Sequence, residues 1–129
     1  MPQFSERSKR NLAQCDEKLQ ILFNTVIKYY DCTVICGFRN EADQNEAFEN
    51  GKSKLQWPNS KHNKLPSKAV DVIAFPINWS DTKKHIHFGG FVQGMAEAMG
   101  IKIRWGGDFN MNGKFDDRFF DAVHFELID

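Results

Sequence analysis

The sequence lacks an excess of charge of either sign, and it also lacks a long apolar run. Its 17 basic and 17 acidic side chains sum to a formal net charge of zero, with an isoelectric point near 6.9. Nucleic-acid-binding domains usually carry a strong basic excess, so this balance argues against that class. No apolar stretch approaches the roughly 20 residues that a membrane-spanning helix needs. We therefore expect neither a nucleic-acid partner nor a stable membrane association.

Cysteines are few, and an apolar leader is missing. The first ten residues, MPQFSERSKR, are highly charged, which argues against a Sec-type signal peptide. The cysteines are odd in number: Cys15, Cys32 and Cys36. On a strand, Cys32 and Cys36 would lie about 13 Å apart, beyond the reach of a disulfide. We expect three reduced, mostly buried thiols in a protein made in the cytoplasm.

The length and the hydropathy pattern predict the fold class. A chain of 129 residues suits one domain and leaves no room for a second. Apolar periodicity and turn signals predict a helix over residues 5–30 capped by Ser5, a strand over 32–38, a helix from Asn40 to Gly51, a lysine-rich loop over 51–68, a strand over 69–75, a helix from Ser80 to Gly100, and strands over 101–105 and 122–128. This order indicates an α+β domain with helices packed on a small, mainly antiparallel sheet.

Two histidines and an aspartate form a candidate metal site. His62 lies in the lysine-rich loop, Asp71 in the strand after it, and His124 in the last strand. Two imidazoles and one carboxylate from separate elements are a ligand set that catalytic zinc uses, with water at the fourth position. Asp121, three residues before His124, could accept the proton of that water. The alternative is a buried, hydrogen-bonded Asp71 and a core histidine at position 124.

A second candidate ion site lies between the last two predicted strands. Asp108, Asn110, Asn112 and Gly113 follow the calcium-loop pattern D-x-[DN]-x-[DN]-G, and Asp116 stands at its ninth position. The bidentate glutamate of position twelve is missing, since Phe119 stands there. The alternative is an Asn/Gly turn with solvated acids.

Four motifs together resemble a known enzyme family. They are CGFRN (36–40), SKHNKLPSKAVD (60–71), RWGGD (104–108) and DAVHFE (121–126). In this order they resemble the zinc peptidases that cut peptidoglycan stem peptides, a group holding D-alanyl-D-alanine carboxypeptidases and dipeptidases together with phage L-alanyl-D-glutamate endolysins. The resemblance implies a hedgehog/DD-peptidase-like zinc fold over residues 1–129, with no separate wall-binding domain.

The resemblance also implies roles for individual residues. His62, Asp71 and His124 are then the zinc ligands, Asp121 the catalytic base, and Arg39 the group near the scissile carbonyl. Without the resemblance, a surface salt bridge from Arg39 to Glu41 or Asp43 would be the simpler interpretation. Ser60 and Trp105 are expected at the substrate. Glu126, two residues after His124 and on the same face of a strand, is the rival to Asp121 as base.

The expected function is zinc-dependent hydrolysis of the L-alanyl-D-glutamate bond by a phage or prophage endolysin, with calcium as a second cofactor. The protein would be a monomer made in the host cytoplasm, and it would act at the cell wall or periplasm after a separate factor permeabilises the membrane. One alternative is a D-alanyl-D-alanine carboxypeptidase or dipeptidase. Another is a non-catalytic wall-binding or virion structural domain that uses zinc only for folding.

Overall fold

The computed structural model describes residues 2–114 and 120–128, in which helices cover one face of an antiparallel sheet. The elements are α1 (Glu6–Ala13), α2 (Glu17–Val26), β1 (Cys32–Cys36), α3 (Glu41–Glu49), a 3₁₀ turn (Lys61–Asn63), β2 (Ala69–Ala74), α4 (Thr82–Ala98), β3 (Ile103–Trp105) and β4 (His124–Leu127). The four strands lie in the order β1-β2-β4-β3, and every neighbouring pair is antiparallel. The predicted α+β class is confirmed.

The alternation of side chains along β2 and β4 separates an apolar face from a polar face. Val70 and Val72 of β2 and Phe125 and Leu127 of β4 belong to the hydrophobic core. Phe125 packs edge-on against Phe23 of α2 and Phe88 of α4, with ring centroids 5.4 and 6.1 Å apart. Successive residues of a strand point to opposite faces, so the residues between these apolar ones face away from the helices. The sheet therefore presents a polar face opposite its core.

The prediction of one continuous helix over residues 5–30 is wrong, because the segment forms two helices, α1 and α2. Its Ser5 cap is confirmed, since the side chain accepts a hydrogen bond from Ser8 N. The break lies at Gln14–Asp16, where Cys15 forms a parallel bridge with Ser67. Asp16 N donates to Ser67 O, and Ser67 N donates to Gln14 O. A backbone that pairs with a distant loop leaves the helical hydrogen-bond pattern, and sequence periodicity does not reveal such a partner.

Other element boundaries follow local capping chemistry. Asn40 caps α3 as predicted, with its side chain accepting from Asp43 N. Asp81 rather than the predicted Ser80 caps α4, through a hydrogen bond from Lys84 N. Both caps satisfy backbone N–H groups that have no partner in the first helical turn.

The cysteines are unpaired, as expected. Cys15 and Cys32 are buried and Cys36 is partly exposed. Burial raises the pKa of the Cys15 and Cys32 thiols to about 12, so both stay protonated at neutral pH. Within residues 2–114 and 120–128, no helix has the length and apolar character to cross a membrane.

Candidate metal centre and catalytic site

The sheet register brings two of the three predicted metal ligands together. Asp71 of β2 lies directly opposite His124 of β4, both on the polar face of the sheet. The third, His62, comes from the 3₁₀ turn, which the Ser60 side chain caps by accepting from His62 N. All three residues are buried, with 1% to 8% of their surface exposed. Residues separated by up to 62 positions in the chain therefore converge at one point.

Three ligand atoms face one another at this point. His62 Nε2 lies 3.1 Å from Asp71 Oδ1 and 3.2 Å from His124 Nδ1, and His124 Nδ1 lies 3.3 Å from Asp71 Oδ1. Ligand atoms bound tetrahedrally at about 2.0–2.1 Å are about 3.3 Å apart, so the triangle has the size of one face of a tetrahedral site. Among the described residues, these three form the group of His, Cys, Asp and Glu side chains that could hold a metal ion.

A second hydrogen bond behind each ligand fixes its orientation. His62 Nδ1 donates to Gly37 O at 2.8 Å, and His124 Nε2 donates to Glu126 Oε1 at 2.8 Å, since both partners are acceptors. Nitrogens that donate on one side leave the opposite ring nitrogens as lone-pair ligands. Arg39 Nη2 donates to Asp71 Oδ2 at 3.2 Å and leaves Oδ1 towards the histidines. The ligand atoms are thus pre-oriented for a cation.

The electrostatics of the cluster call for positive charge between the ligands. Burial opposes ionisation of Asp71, but the nearby His62 and hydrogen bonds from His124 and His62 hold the pKa of Asp71 below its usual range. Burial would lower the pKa of His62 and His124, and their contacts with Asp71 raise both instead. In the protein alone, protons on the histidines supply this charge, and a divalent cation bound to neutral imidazoles would supply it in their place. The donor set therefore fits a metal.

The Arg39 guanidinium lies beside the ligands and is mostly buried, with 17% of its side chain exposed. Its Nη1 donates to Gln44 Oε1 at 3.0 Å, while Nη2 contacts Asp71. Arg39 thus forms its ion pair with Asp71 and not with Glu41 or Asp43, the partners considered from the sequence. The backbone N of Arg39 also donates to His62 O at 2.8 Å, which ties the segment after β1 to the 3₁₀ turn.

The two carboxylates near His124 have opposite environments. Burial, and then the negative charge of Asp71, raises the pKa of Asp121 to about 6. Glu126 accepts hydrogen bonds from His124 and Arg104 and pairs with Lys61 at 3.2 Å. Burial opposes its ionisation, but these three partners outweigh burial and lower the pKa of Glu126 to about 2. The pKa of Asp121 suits a group that accepts a proton near neutral pH. Glu126 stays ionised at this pH, and its hydrogen bond orients the His124 ring.

A glycine allows Asp121 to reach this position. Asp121 N donates to Gly106 O at 2.8 Å, and Gly106 N donates to His124 O at 2.7 Å. A Cβ atom at Gly106 would collide with the carbonyl oxygen of Asp121. The glycine of the RWGGD motif is therefore needed for the close approach of the segment that carries Asp121 and His124.

The two residues expected at the substrate lie in different settings. Ser60 is buried, caps the turn that presents His62, and lines the cleft beside it. Trp105 is only 3% exposed, and its Nε1 donates to Ala122 O at 2.7 Å. Its indole covers Gly89 and Gly107, where a Cβ would collide with the ring. Trp105 thus supports the segment before His124 from inside the protein.

The candidate calcium loop is described only in part, because Asp116 lies outside the described residues. Asp108 is buried, and its carboxylate accepts from Asn112 N at 3.3 Å and Gly113 N at 2.8 Å. Asn110 Oδ1 accepts from Asn112 N, and Asn112 Oδ1 accepts from Lys114 N. The loop side chains therefore form a compact turn around their own backbone.

Sequence reasoning missed two amide side chains that support the site. Gln44 is fully buried; it accepts from Arg39 and donates to Leu55 O. Asn63 Nδ2 donates to Arg39 O and Gln44 Oε1, and its Oδ1 accepts from Ser60 N. The S-x-x-N spacing of residues 60–63 is a capping signal that could have identified Asn63, whereas nothing in the local sequence singles out Gln44.

Two clefts meet at the cluster. One has a volume of about 660 Å³ and includes Asp71 in its wall; the other, of about 600 Å³, includes His62 and His124. Arg39, Lys52 and Asp121 line both clefts. An extended chain could therefore cross the cluster from one cleft to the other.

Comparisons with known proteins agree with this geometry. The family model described as phage L-alanyl-D-glutamate peptidase matches residues 1–128. The L-alanyl-D-glutamate peptidase of Escherichia phage T5 is 28% identical over 134 residues, covering 97% of each chain. The crystal structure of the Serratia marcescens L-Ala D-Glu endopeptidase ChiX superposes with a TM-score of 0.76 at 28% identity, covering 97% of this chain and 89% of ChiX. The resemblance stated from the motifs is confirmed: this chain belongs to the phage L-alanyl-D-glutamate peptidase family.

Proposed function

We propose that this protein is a metal-dependent peptidase that hydrolyses the L-alanyl-D-glutamate bond of peptidoglycan stem peptides, as a phage or prophage endolysin. One observation carries the proposal: within this peptidase family, the chain directs three buried ligand atoms to a single point between two clefts. Both relatives are named for the same bond, which favours it over the D-alanyl-D-alanine bond. The cell wall is then its site of action.

The proposed metal is zinc, held by His62 Nε2, Asp71 Oδ1 and His124 Nδ1. Two imidazoles and one carboxylate are a borderline-soft set that suits zinc better than magnesium or calcium. Bound there, zinc would supply Lewis-acid activation of the carbonyl and of a water molecule. The hydrogen bonds from His62 to Gly37 and from His124 to Glu126 support this proposal, because they fix the ring nitrogens that must remain unprotonated.

Asp121 is the proposed general base and then acid. It takes a proton from the attacking water at its carboxylate and returns it to the leaving amine of D-glutamate. Its raised pKa and its position in the wall of both clefts support this role. Arg39 lies in the wall of both clefts as well, and its guanidinium would stabilise negative charge that develops on the carbonyl oxygen. Ser60 supports His62 by capping its 3₁₀ turn, and Trp105 supports His124 by its hydrogen bond to Ala122 O.

A calcium ion on Asp108, Asn110, Asn112 and Asp116 is proposed as a second cofactor. The loop leads along the chain to Asp121, so a cation that orders it would help to position the base. Oxygen ligands at alternate positions of a tight loop support calcium over softer metals.

We further propose that the protein is a monomer and is made in the host cytoplasm. A separate membrane-permeabilising factor would then be needed for the enzyme to reach the wall.

The experiment that tests the activity is digestion of purified peptidoglycan, followed by mass spectrometry of the new amino termini. We expect D-glutamate as the new terminus, loss of digestion after chelation, and recovery on addition of zinc. New D-alanine termini would overturn the assigned bond in favour of a D-alanyl-D-alanine peptidase. Undiminished digestion by protein shown to be metal-free would overturn the metal mechanism. Absence of any cleavage by zinc-loaded protein would favour a non-catalytic wall-binding domain.

A further inference from the structure

The two clefts that meet at the metal centre differ in charge. The first cleft, called here the acidic lobe, adds the side chains of Asp43 and Glu46 to the shared residues. The second, called the basic lobe, adds Lys54, Lys61 and Arg104. Among the described residues, the acids of the basic lobe are the shared Asp121 and Glu126, and Glu126 is already paired with Lys61 and Arg104. A charged substrate that crosses the centre therefore meets opposite potentials on its two sides.

The lobes also differ in how they present aromatic rings. In the acidic lobe, Trp79 is 61% exposed and Phe120 is 43% exposed. In the basic lobe, Phe109 packs between two site residues: the Arg104 guanidinium lies 5.6 Å from its ring centroid, and the His124 ring lies 5.6 Å away. The acidic lobe thus offers an open aromatic surface, whereas the ring of the basic lobe is already covered.

The backbone of Trp79 is anchored by a residue of α4. His85 Nε2 donates to Trp79 O at 3.2 Å, and the two rings lie 6.5 Å apart at a tilted angle. An exposed indole on an anchored backbone at a cleft wall is a suitable platform for the apolar face of a ring, since only its two side-chain torsions remain to be fixed on binding.

The stem peptide is unequal on the two sides of the scissile bond. On the amino side, L-alanine is joined through a lactyl group to an uncharged amino sugar, whose ring has an apolar C–H face. On the carboxyl side, D-glutamate continues the chain through its γ-carboxyl group and leaves its α-carboxylate as a negative charge. The substrate thus has a neutral sugar end and an anionic peptide end.

We propose that the substrate binds in a single orientation. The D-glutamate α-carboxylate lies in the basic lobe, and the amino sugar packs against Trp79 in the acidic lobe. This inference rests on the proposed function and deepens it. The positive side chains of the basic lobe, Lys54, Lys61 and Arg104, together attract the α-carboxylate, and Asp43 and Glu46 repel it from the opposite lobe. Trp79 and Lys54 are then specificity-determining residues.

The test uses two pairs of matched substrates with the zinc-loaded full chain. One pair differs only at the second residue, D-glutamate or its α-amide D-isoglutamine. The other pair differs only in the presence of the amino sugar. The variants are Lys54→Gln and Trp79→Ala, and the controls are Lys28→Gln and Tyr29→Ala, which remove an exposed charge and an exposed ring that line neither cleft.

We expect Lys54→Gln to lower kcat/KM for the D-glutamate substrate by about 3- to 10-fold, through KM, and to leave the D-isoglutamine substrate unchanged. Trp79→Ala should lower kcat/KM by about 10-fold for the sugar-bearing substrate alone. The controls should match the parent protein.

Two results would overturn the orientation while leaving the activity intact. One is cleavage with unchanged substrate ratios in both variants, and the other is an exchange of the two effects, which would indicate the reverse direction. Failure of the parent protein to cleave the bond after L-alanine in any of these substrates would instead overturn the proposed function itself.

Discussion

The cluster of His62, Asp71 and His124 and the loop over residues 108–114 both consist of polar side chains, but different contacts hold the two in place. In the cluster, each ligand has a partner from another part of the chain: Gly37 behind His62, Arg39 behind Asp71, and Glu126 behind His124. The loop satisfies Asp108 with backbone N–H groups only four and five residues away. Partners behind the ligands leave lone pairs directed to a common point, whereas local partners use the oxygen atoms themselves. The geometry of the three-ligand cluster thus depends on contacts between distant elements, whereas that of the loop is set locally.

The largest expected effect is the loss of a cluster ligand. His124→Ala and, from a different element, His62→Ala should each lower turnover by about 10³-fold or more, because the ligand set is broken. The measurement is zinc content by elemental analysis together with the rate of peptidoglycan digestion. His87→Ala is the matched control, since His87 is an exposed histidine that contacts Tyr30 on another part of the surface. Full activity with stoichiometric zinc in either ligand variant would contradict the cluster assignment.

The next effect separates the two carboxylates. Asp121→Asn should lower kcat by about 10²- to 10⁴-fold with zinc retained, because an amide cannot accept the water proton. Zinc content and kcat are measured on the same sample, so that loss of metal is distinguished from loss of the base. A larger loss in Glu126→Gln than in Asp121→Asn, at equal zinc content, would reverse the roles assigned to them.

Glu126→Gln should have an intermediate effect. The amide oxygen can still accept from His124 Nε2, but the negative charge that faces Arg104 and Lys61 is lost. Loss of such an orienting carboxylate costs about 10- to 100-fold in metal affinity or activity. Competition with a zinc-binding dye measures the affinity. An affinity equal to that of the parent protein would show that the Glu126–His124 hydrogen bond does not tune the metal.

The smallest effect is expected in the loop. Asp108→Asn keeps an oxygen that accepts from Gly113 N, so in the absence of calcium its free energy of unfolding should change by about 1 kcal/mol or less. Calcium should raise the Tm of the zinc-loaded parent and have little effect on the variant. Identical calcium responses of the two proteins, or no response in the parent, would remove calcium from the proposed cofactors.

The sequence predicts local features better than it predicts the site. Ser5 and Asn40 were identified as helix caps because a cap depends on residues three positions away. The break in the first helix was missed because Cys15 pairs with Ser67, 52 positions later in the numbering. The meeting of Asp71 with His124 depends on the pairing of β2 with β4. The residue types suggested this ligand set, with a buried Asp71 and a core histidine as the alternative, and the motif resemblance favoured the metal site. Gln44 gave no signal, since its contacts exist only in the folded chain.

The pairing of Asp71 with His124 has a consequence for how the enzyme matures. A slip of β4 by one residue along β2 would place Phe125 opposite Asp71 on the polar face and turn His124 towards the helices. Such a chain could not assemble the three ligand atoms, so it would not retain the ion. Binding of the proposed metal would therefore require correct alignment of β4 on β2, and misaligned molecules would lack the proposed activity.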